Sequence, residues 1–193
     1  MTSRASWPWA TTVLVVAHVA IYVLAGTMAD YGTPGSADGD DLRLPSIGQL
    51  TFDAFRHPST TAMAVTLVFL VPVAIAVERA VNAVAAGATY VVSGFGAGMA
   101  ELLSATDPLA VVGAFGATTG LLAMWLVARW RLTGDVVLPA AIVLGWFLLN
   151  WHARTAGIPW LGAVAAAAIG LYAVGALPPR RAAAHDTPPV DHE

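Results

Sequence analysis

The sequence contains no cysteine and no lysine, and only 11% of its 193 residues are charged. The absence of cysteine excludes disulfide bonds and thiolate chemistry. All nine basic residues are arginines, and they do not form the basic stripe of a nucleic-acid-binding surface, so we expect no nucleic-acid partner. Soluble domains carry about 25% charged residues. A chain that is 58% hydrophobic and this poor in charge is instead typical of a membrane protein.

Long hydrophobic runs fill most of the chain, and they are apolar on all sides rather than on one face. A helix needs about 20 mostly apolar residues to cross the hydrocarbon core of a bilayer. Six stretches reach or approach this length: Trp9–Ala29, Thr61–Val77, Ala80–Leu103, Leu109–Ala128, Val136–Trp151 and Pro159–Leu177. The sequence therefore predicts an all-α membrane protein, a bundle of six transmembrane helices within residues 1–177.

Two polar segments complete the predicted domain organisation. Residues 30–58 are the longest of these and are expected to form a long outer loop. Asp38, Asp40 and Asp41 in this loop offer the oxygen ligands that a hard cation takes. They lack the spacing and the distal glutamate of an EF-hand, so a solvated loop is the favoured interpretation, and we expect no metal and no cofactor. Residues 178–193 are predicted to be a disordered cytoplasmic tail.

The first apolar run permits more than one interpretation. Arg4, the apolar core and the sequence Thr27-x-Ala29 imitate a cleavable signal peptide. The run is long and five further spans follow it, which favours a retained transmembrane helix. His18 lies within this run, and we expect a neutral buried histidine bonded to a neighbouring helix. A role for His18 as a ligand or in a proton relay is the alternative.

Arginine placement predicts the orientation of the bundle. With the amino terminus in the cytoplasm, the inner segments hold six arginines and the outer segments hold three. Cytoplasmic loops of membrane proteins carry an excess of basic residues. We therefore expect a multi-pass protein with both termini in the cytoplasm. Since the sequence shows no transit or retrieval signal, a prokaryotic cell membrane is the expected location.

Three glycines distinguish the fourth run. Gly113, Gly116 and Gly120 lie within the stretch Val111–Arg129. Glycine weakens a helix in water, but in a membrane it lets neighbouring helix backbones approach closely. The sequence therefore predicts that this helix is central and packed by protein.

Several motifs, taken in chain order, resemble the rhomboid intramembrane serine proteases over roughly Leu50 to Gly170. The motifs are Phe55-Arg56-His57 at the start of span two, Val77-Glu78-Arg79 at its end, a glycine-rich third span, Gly113-Ala114-Phe115-Gly116, and Gly162 in span six. The fourth of these is similar to the family's Gly-x-Ser-Gly, with phenylalanine at the nucleophile position. Six spans and a long first outer loop also match the six-helix core of the family.

The resemblance implies where catalytic residues would stand. Rhomboids use a serine of span four as nucleophile, a histidine of span six as base, and a histidine and an asparagine of span two as oxyanion donors. Here the nucleophile position falls on Phe115, and the base position falls on Pro159 or, with a slip of one residue, on Trp160. The two oxyanion positions fall on Thr66 and Ala62. The dyad is absent, so the chain is identified as a catalytically degenerate member, a pseudoprotease, and the interpretation leans against an enzyme.

The same resemblance implies a binding function. Inactive members of this superfamily bind transmembrane segments of client proteins, so we expect such a partner in addition to the lipid bilayer. The candidate binding residues are Gly113, Phe115, Gly116 and Trp160, with the client held laterally between spans two and five. Phe115 is expected to fill the former catalytic hollow and to pack against spans two and six. The sequence leaves the client and the oligomeric state open.

Two other functions stay open at this point. Thr118 and Thr119 lie one turn below Phe115, so an active protease that pairs Thr118 with His152 is chemically allowed. Threonine inside a membrane helix usually bonds its own backbone carbonyl, which argues against this alternative. A small transporter is the second alternative, but it usually requires buried charge along its path, and no acid or arginine lies in the middle of a span.

Overall fold

Six long α-helices build the described part of the chain. The computed structural model describes residues 7–25, 51–52, 54–57, 59–104, 114–153 and 160–175, with side chains over 7–24, 51–52, 54–57, 59–100, 114–150 and 164–173. The helices are α1 (Trp9–Ala25), α2 (Thr60–Ala80), α3 (Ala83–Ser104), α4 (Ala114–Thr133), α5 (Val137–Ala153) and α6 (Trp160–Gly175). No strand occurs in these ranges, which confirms the predicted all-α class. Most of the predicted outer loop and the whole predicted tail lie outside the described residues.

The predicted spans match the helices with small shifts that local chemistry explains. The third helix begins at Ala83 rather than Ala80, because the Asn82 side chain accepts a hydrogen bond from the Ala85 amide (2.8 Å) and caps it. The fourth helix continues to Thr133, five residues beyond the predicted end. Gly134 stops it there with a φ of 75°, a backbone conformation that glycine adopts without steric cost.

Contacts between helices show that successive helices alternate in direction. The Thr11 amide, at the start of α1, meets the Glu78 carboxylate at the end of α2, while Tyr22 and Thr60 meet at the opposite ends. The Thr89 hydroxyl of α3 lies 3.3 Å from the Met124 sulfur in the middle of α4, while Gly94, later in α3, lies against Ala117 near the start of α4. The chain therefore runs up and down through the bundle.

Helix α4 forms the centre of the bundle, as its glycines predicted. Every residue from Ala114 to Trp125 is buried, and so is Ala128. Helix α6 runs beside α4 in the same direction, and a Cβ atom placed on Gly170 would lie 2.1 Å from the carbonyl oxygen of Gly120. No side chain fits between two backbones this close, so glycine is required at this crossing.

A short segment before α2 enters the bundle. In residues 54–57, which we call the embedded segment, Ala54, Arg56 and His57 are buried. A Cβ atom on Gly94 of α3 would lie only 2.6 Å from the Ala54 side chain. The carbonyl oxygen of Arg56 accepts a hydrogen bond from the amide of Ala114, the first residue of α4 (3.3 Å). The embedded segment thus covers the amino-terminal end of the central helix.

The Glu78 carboxylate joins the ends of two helices. It accepts hydrogen bonds from the Ala10 amide (3.1 Å), the Thr11 amide (3.0 Å) and the Thr11 hydroxyl (3.0 Å). The first amides of α1 have no partner within their own helix, and an unpaired amide in an apolar environment costs several kcal/mol. A residue at the end of α2 therefore caps α1.

Length and composition agree with a membrane location for part of the bundle. Two described helices, Thr60–Ala80 and Ala83–Ala100, are long and apolar enough to cross a membrane. Shorter apolar helices cover Trp9–Leu24, Val137–Asn150 and Val164–Ala173. Helix α4 is not among these, and it contains threonines, glycines and terminal arginines. Because α4 is buried by its neighbours, it does not need a lipid-facing apolar surface.

Candidate functional site

Phe115 occupies the second position of α4, at the end covered by the embedded segment. Its side chain is only 2% exposed. The ring stacks on the indole of Trp146 with a centroid distance of 5.3 Å and an interplanar angle of 12°. It also meets Phe147 edge to face at 5.8 Å. Both of these ring partners lie on α5, and the packing of Phe115 against spans two and six stays a prediction.

Trp146 extends this stack into a cluster that joins three helices. Its ring also contacts Phe69 of α2, with a centroid distance of 5.4 Å. Its Nε1 donates a hydrogen bond to the Thr119 hydroxyl (3.1 Å), which in turn donates to the carbonyl oxygen of Phe115 (2.7 Å). We call Phe69, Phe115, Trp146 and Phe147 the aromatic cluster. It is held by ring contacts and one hydrogen-bonded chain, and it contains no nucleophile or base.

The two positions that correspond to oxyanion donors lie on one face of α2. Ala62 and Thr66 are one helical turn apart, and both are buried. An alanine methyl group donates no hydrogen bond, and a threonine hydroxyl is a single donor in place of an amide or an imidazole. The side chains present on α2 therefore offer at most one of the two side-chain donors that the family uses.

The remaining candidate residues are described only in part. Gly116 is buried beside Phe115 in the first turn of α4. Gly113 and Pro159 lie outside the described residues. Trp160 is the first residue of α6, and only its helical backbone is described. Helices α4 and α6 are parallel, and Gly120 of α4 lies against Ala166 of α6. Phe115 is five residues before Gly120, and the start of α6 is about as far before Ala166, so the two lie at the same depth in the bundle.

Thr118 and Thr119, the candidate replacement nucleophiles, have different environments. The Thr119 hydroxyl bonds the carbonyl of Phe115 in its own helix, as expected for a membrane threonine. The Thr118 hydroxyl is fully buried and has no hydrogen-bond partner in the described part of the chain, although the Tyr90 hydroxyl is a neighbour. The side chain of His152 is not described. No described imidazole is therefore bonded to either threonine.

A buried polar network lies beside the start of α4. His18 of α1 contacts the Tyr90 hydroxyl of α3 through Nε2 (2.6 Å) and contacts Nε2 of His57 through Nδ1 (2.9 Å). Tyr90 donates to the carbonyl oxygen of Ala54 (2.8 Å), and the carbonyl oxygen of Phe55 lies 3.2 Å from His18 Nδ1. We call His18, His57 and Tyr90 the histidine–tyrosine relay. The predicted hydrogen bond from His18 to a neighbouring helix is confirmed.

The donors and acceptors of this relay allow two arrangements of hydrogen atoms. In one, Tyr90 donates to the Ala54 carbonyl and His18 donates to Tyr90 through Nε2, so His18 Nδ1 accepts from His57 Nε2. In the other, His18 Nδ1–H faces the Phe55 carbonyl and His57 Nε2, and His18 Nε2 accepts the Tyr90 hydrogen. The contacts between the three side chains are the same in both.

Tyr90 and Trp146 are the site residues that sequence reasoning missed. Each is fully buried and joins helices that are distant in sequence. A signal for Tyr90 existed, because a tyrosine hydroxyl within a membrane helix needs a polar partner, and His18 is one of the few polar side chains in the other spans. Nothing comparable marked Trp146, since tryptophan is also common at the lipid interface.

The described residues offer little for metal chemistry. No group of three or more histidine, aspartate or glutamate side chains in this part of the chain has the geometry to hold a metal ion. The acidic loop residues Asp38, Asp40 and Asp41 lie outside it.

The fold and site together define a class: an α-helical bundle with a buried central helix whose first turn lies beneath a short embedded segment. The Rhomboid domain family matches residues 45–179, which is more than half of the chain. The chain belongs to the rhomboid family, whose members are multi-pass membrane proteins. No curated protein and no solved structure matches it.

Proposed function

We propose that this rhomboid family member does not cleave peptide bonds and instead binds transmembrane segments of other membrane proteins. The observation that carries this proposal is Phe115, a buried aromatic ring at the nucleophile position, stacked on Trp146. A phenyl ring cannot attack a carbonyl carbon. It also fills the space in which a scissile peptide bond and a water molecule would have to meet.

The contact between Tyr90 and His18 does not replace the lost dyad. A hydroxyl and an imidazole are in bonding distance there, but the Tyr90 hydroxyl also bonds the carbonyl of Ala54. A nucleophile needs both a base and an open approach to the substrate carbonyl. Both side chains are also fully buried.

The proposed client site is the lipid-facing seam between α2 and α5. Val68 of α2 and Leu144 of α5 are 69% and 60% exposed, and they follow the seam where Phe69 lies 3.6 Å from the Cβ position of Gly145. Helix α5 packs mainly on α2 and α4. A transmembrane helix has the length and the apolar surface to lie along this seam, which supports a membrane-protein client rather than a soluble one.

Site-specific photocrosslinking in native membranes tests the proposal. Since the chain has no cysteine, single cysteines at Val68, Leu144 and the control position Val92 can each carry a benzophenone group. Val92 of α3 is 51% exposed and lies away from the seam. We expect the same membrane-protein adduct from positions 68 and 144 and not from 92. An equal adduct from all three positions, or lipid adducts alone, would contradict a client site at the seam.

A cleavage assay tests the absence of proteolysis separately. The purified protein is incubated in liposomes with a labelled single-span substrate, and no cleavage above the lipid background is expected. Cleavage that disappears in Thr118→Ala or Tyr90→Phe would overturn the proposal and identify a protease with an unusual nucleophile.

A further inference from the structure

We propose that the histidine–tyrosine relay is a latch that holds the embedded segment over the amino-terminal end of α4. This inference does not depend on client binding. It begins from the fact that the relay connects elements far apart in sequence: His18 in α1, His57 in the embedded segment and Tyr90 in α3. The family's catalytic residues are not among them, so proteolysis does not explain why three polar side chains meet inside an apolar bundle.

The relay attaches to the embedded segment at both of its ends. Tyr90 donates to the carbonyl of Ala54, and His57 bonds His18. Between these two points, the Arg56 carbonyl bonds the amide of Ala114. Hydrogen bonds at Ala54 and His57, one on each side of Arg56, therefore fix the position of Arg56. Through them, the relay indirectly determines whether the Arg56 carbonyl bonds the first amide of α4.

Ring packing and hydrogen bonds both hold this segment. Ala54 lies against Gly94, and the Phe55 ring contacts those of His18 (5.2 Å) and Tyr90 (5.3 Å). The backbone carbonyls of Ala54 and Arg56 would be unpaired in an apolar environment if the segment lacked the bonds described above. Breaking the relay should consequently release the segment toward the outer surface, where water can bond the same groups.

Tyr90 is the point at which the latch can be tested most directly. The substitution Tyr90→Phe keeps the ring, which contacts His18 and Phe55, and removes only the hydroxyl that bonds His18 and Ala54. The His18 imidazole and the Ala54 carbonyl lose their hydrogen-bond partner. We therefore expect the equilibrium constant for local opening of the embedded segment to rise about tenfold or more. Tyr172→Phe is the matched control, because this tyrosine of α6 is 82% exposed.

Hydrogen exchange of the full chain in detergent micelles, read by mass spectrometry, provides the measurement. In Tyr90→Phe we expect exchange to accelerate about tenfold or more in peptides covering residues 51–57 and 114–118, and to stay unchanged in peptides from α5. Tyr172→Phe should show wild-type exchange in all of them. Unchanged exchange at residues 51–57, or an equal acceleration in every helix, would show that the relay is not a local latch.

A second variant covers the case in which Tyr90→Phe does not fold. His57→Ala removes the bond to α1 from the embedded segment itself and leaves the contact between His18 and Tyr90 in place. The same localised acceleration is expected. Wild-type exchange at residues 51–57 and 114–118 in this variant would overturn the proposal.

Discussion

At the scale of single residues, two adjacent threonines show how one hydroxyl can stabilise the protein while its neighbour does not. Thr119 donates to the Phe115 carbonyl and accepts from Trp146, so it connects α4 to α5. Thr118 is fully buried and, in the described part of the chain, its hydroxyl has no partner in hydrogen-bond geometry. A buried polar group without a partner destabilises the fold by about 1–3 kcal/mol.

The two threonines should therefore respond oppositely to the same substitution. Thr119→Val leaves the indole N–H of Trp146 without a hydrogen-bond acceptor, and we expect it to lower the free energy of unfolding by about 1–3 kcal/mol. Thr118→Val removes an unpaired hydroxyl at nearly constant volume, and it should leave stability unchanged or raise it. Reversible unfolding in mixed micelles measures both. A loss with Thr118→Val as large as that with Thr119→Val would show that Thr118 makes a hydrogen bond.

At the scale of helices, the close approach of α4 and α6 depends on the absence of side chains. A Cβ atom on Gly170 would lie 2.1 Å from the carbonyl oxygen of Gly120, whereas one on Gly120 would overlap the Ser93 side chain of α3. The contact at Gly170 is with backbone, and a backbone cannot rotate away as a side chain can. The outer surface of α3 is different, because a Cβ atom on Gly87 has nothing within 4 Å.

This contrast predicts the effect of one methyl group at two positions. Gly170→Ala should separate α4 from α6 and lower the stability by about 1–3 kcal/mol or more. Gly87→Ala should leave the melting temperature unchanged or raise it, since alanine is the better helix former. Thermal unfolding in one detergent compares them. Equal melting temperatures for the two variants would mean that the two helices are further apart than described.

At the scale of the whole molecule, arginine distribution and helix direction support one orientation. The helices alternate in direction, and the turn between α4 and α5 carries Arg129 and Arg131, two of the six arginines counted as cytoplasmic. The embedded segment lies at the opposite end, before α2. We therefore propose that the α4–α5 turn faces the cytoplasm, that both termini lie on that side, and that the embedded segment faces outward.

Labelling of single cysteines on intact cells tests this orientation. Phe52 and Leu132 are exposed to a similar degree and lie at opposite ends of the bundle. With a membrane-impermeant maleimide, we expect Phe52→Cys to be labelled on intact cells and Leu132→Cys only after lysis. The reverse pattern would invert the bundle. The wild-type chain contains no cysteine and provides the background.

Parts of the fold could be predicted from particular residues because their effect is local. The glycines of α4 indicated a protein-packed helix, and α4 is buried from Ala114 to Trp125. The apolar runs located all six helices to within a few residues, because length and hydrophobicity alone decide what can cross a bilayer. The motif around Phe115 indicated the family before any contact was known, since it lies in the linear order of the chain.

The contacts of the candidate site could not be predicted in the same way. A helix that is apolar on every side has no preferred face, so the sequence does not specify which neighbour Phe115 meets, and the structure brings α5 to it. The relay joins residues 18, 57 and 90, whose meeting depends on the depth and rotation of three separate elements.

By itself, the sequence determined that this chain is helical and belongs to the rhomboid family, because composition, run length and motif order are properties of the linear chain. The tertiary structure decided that Phe115 is packed in an aromatic cluster and that a hydrogen-bonded segment covers the start of α4. Those features arise only when helices approach within a few ångströms, where the shape and donor geometry of each side chain select its partner.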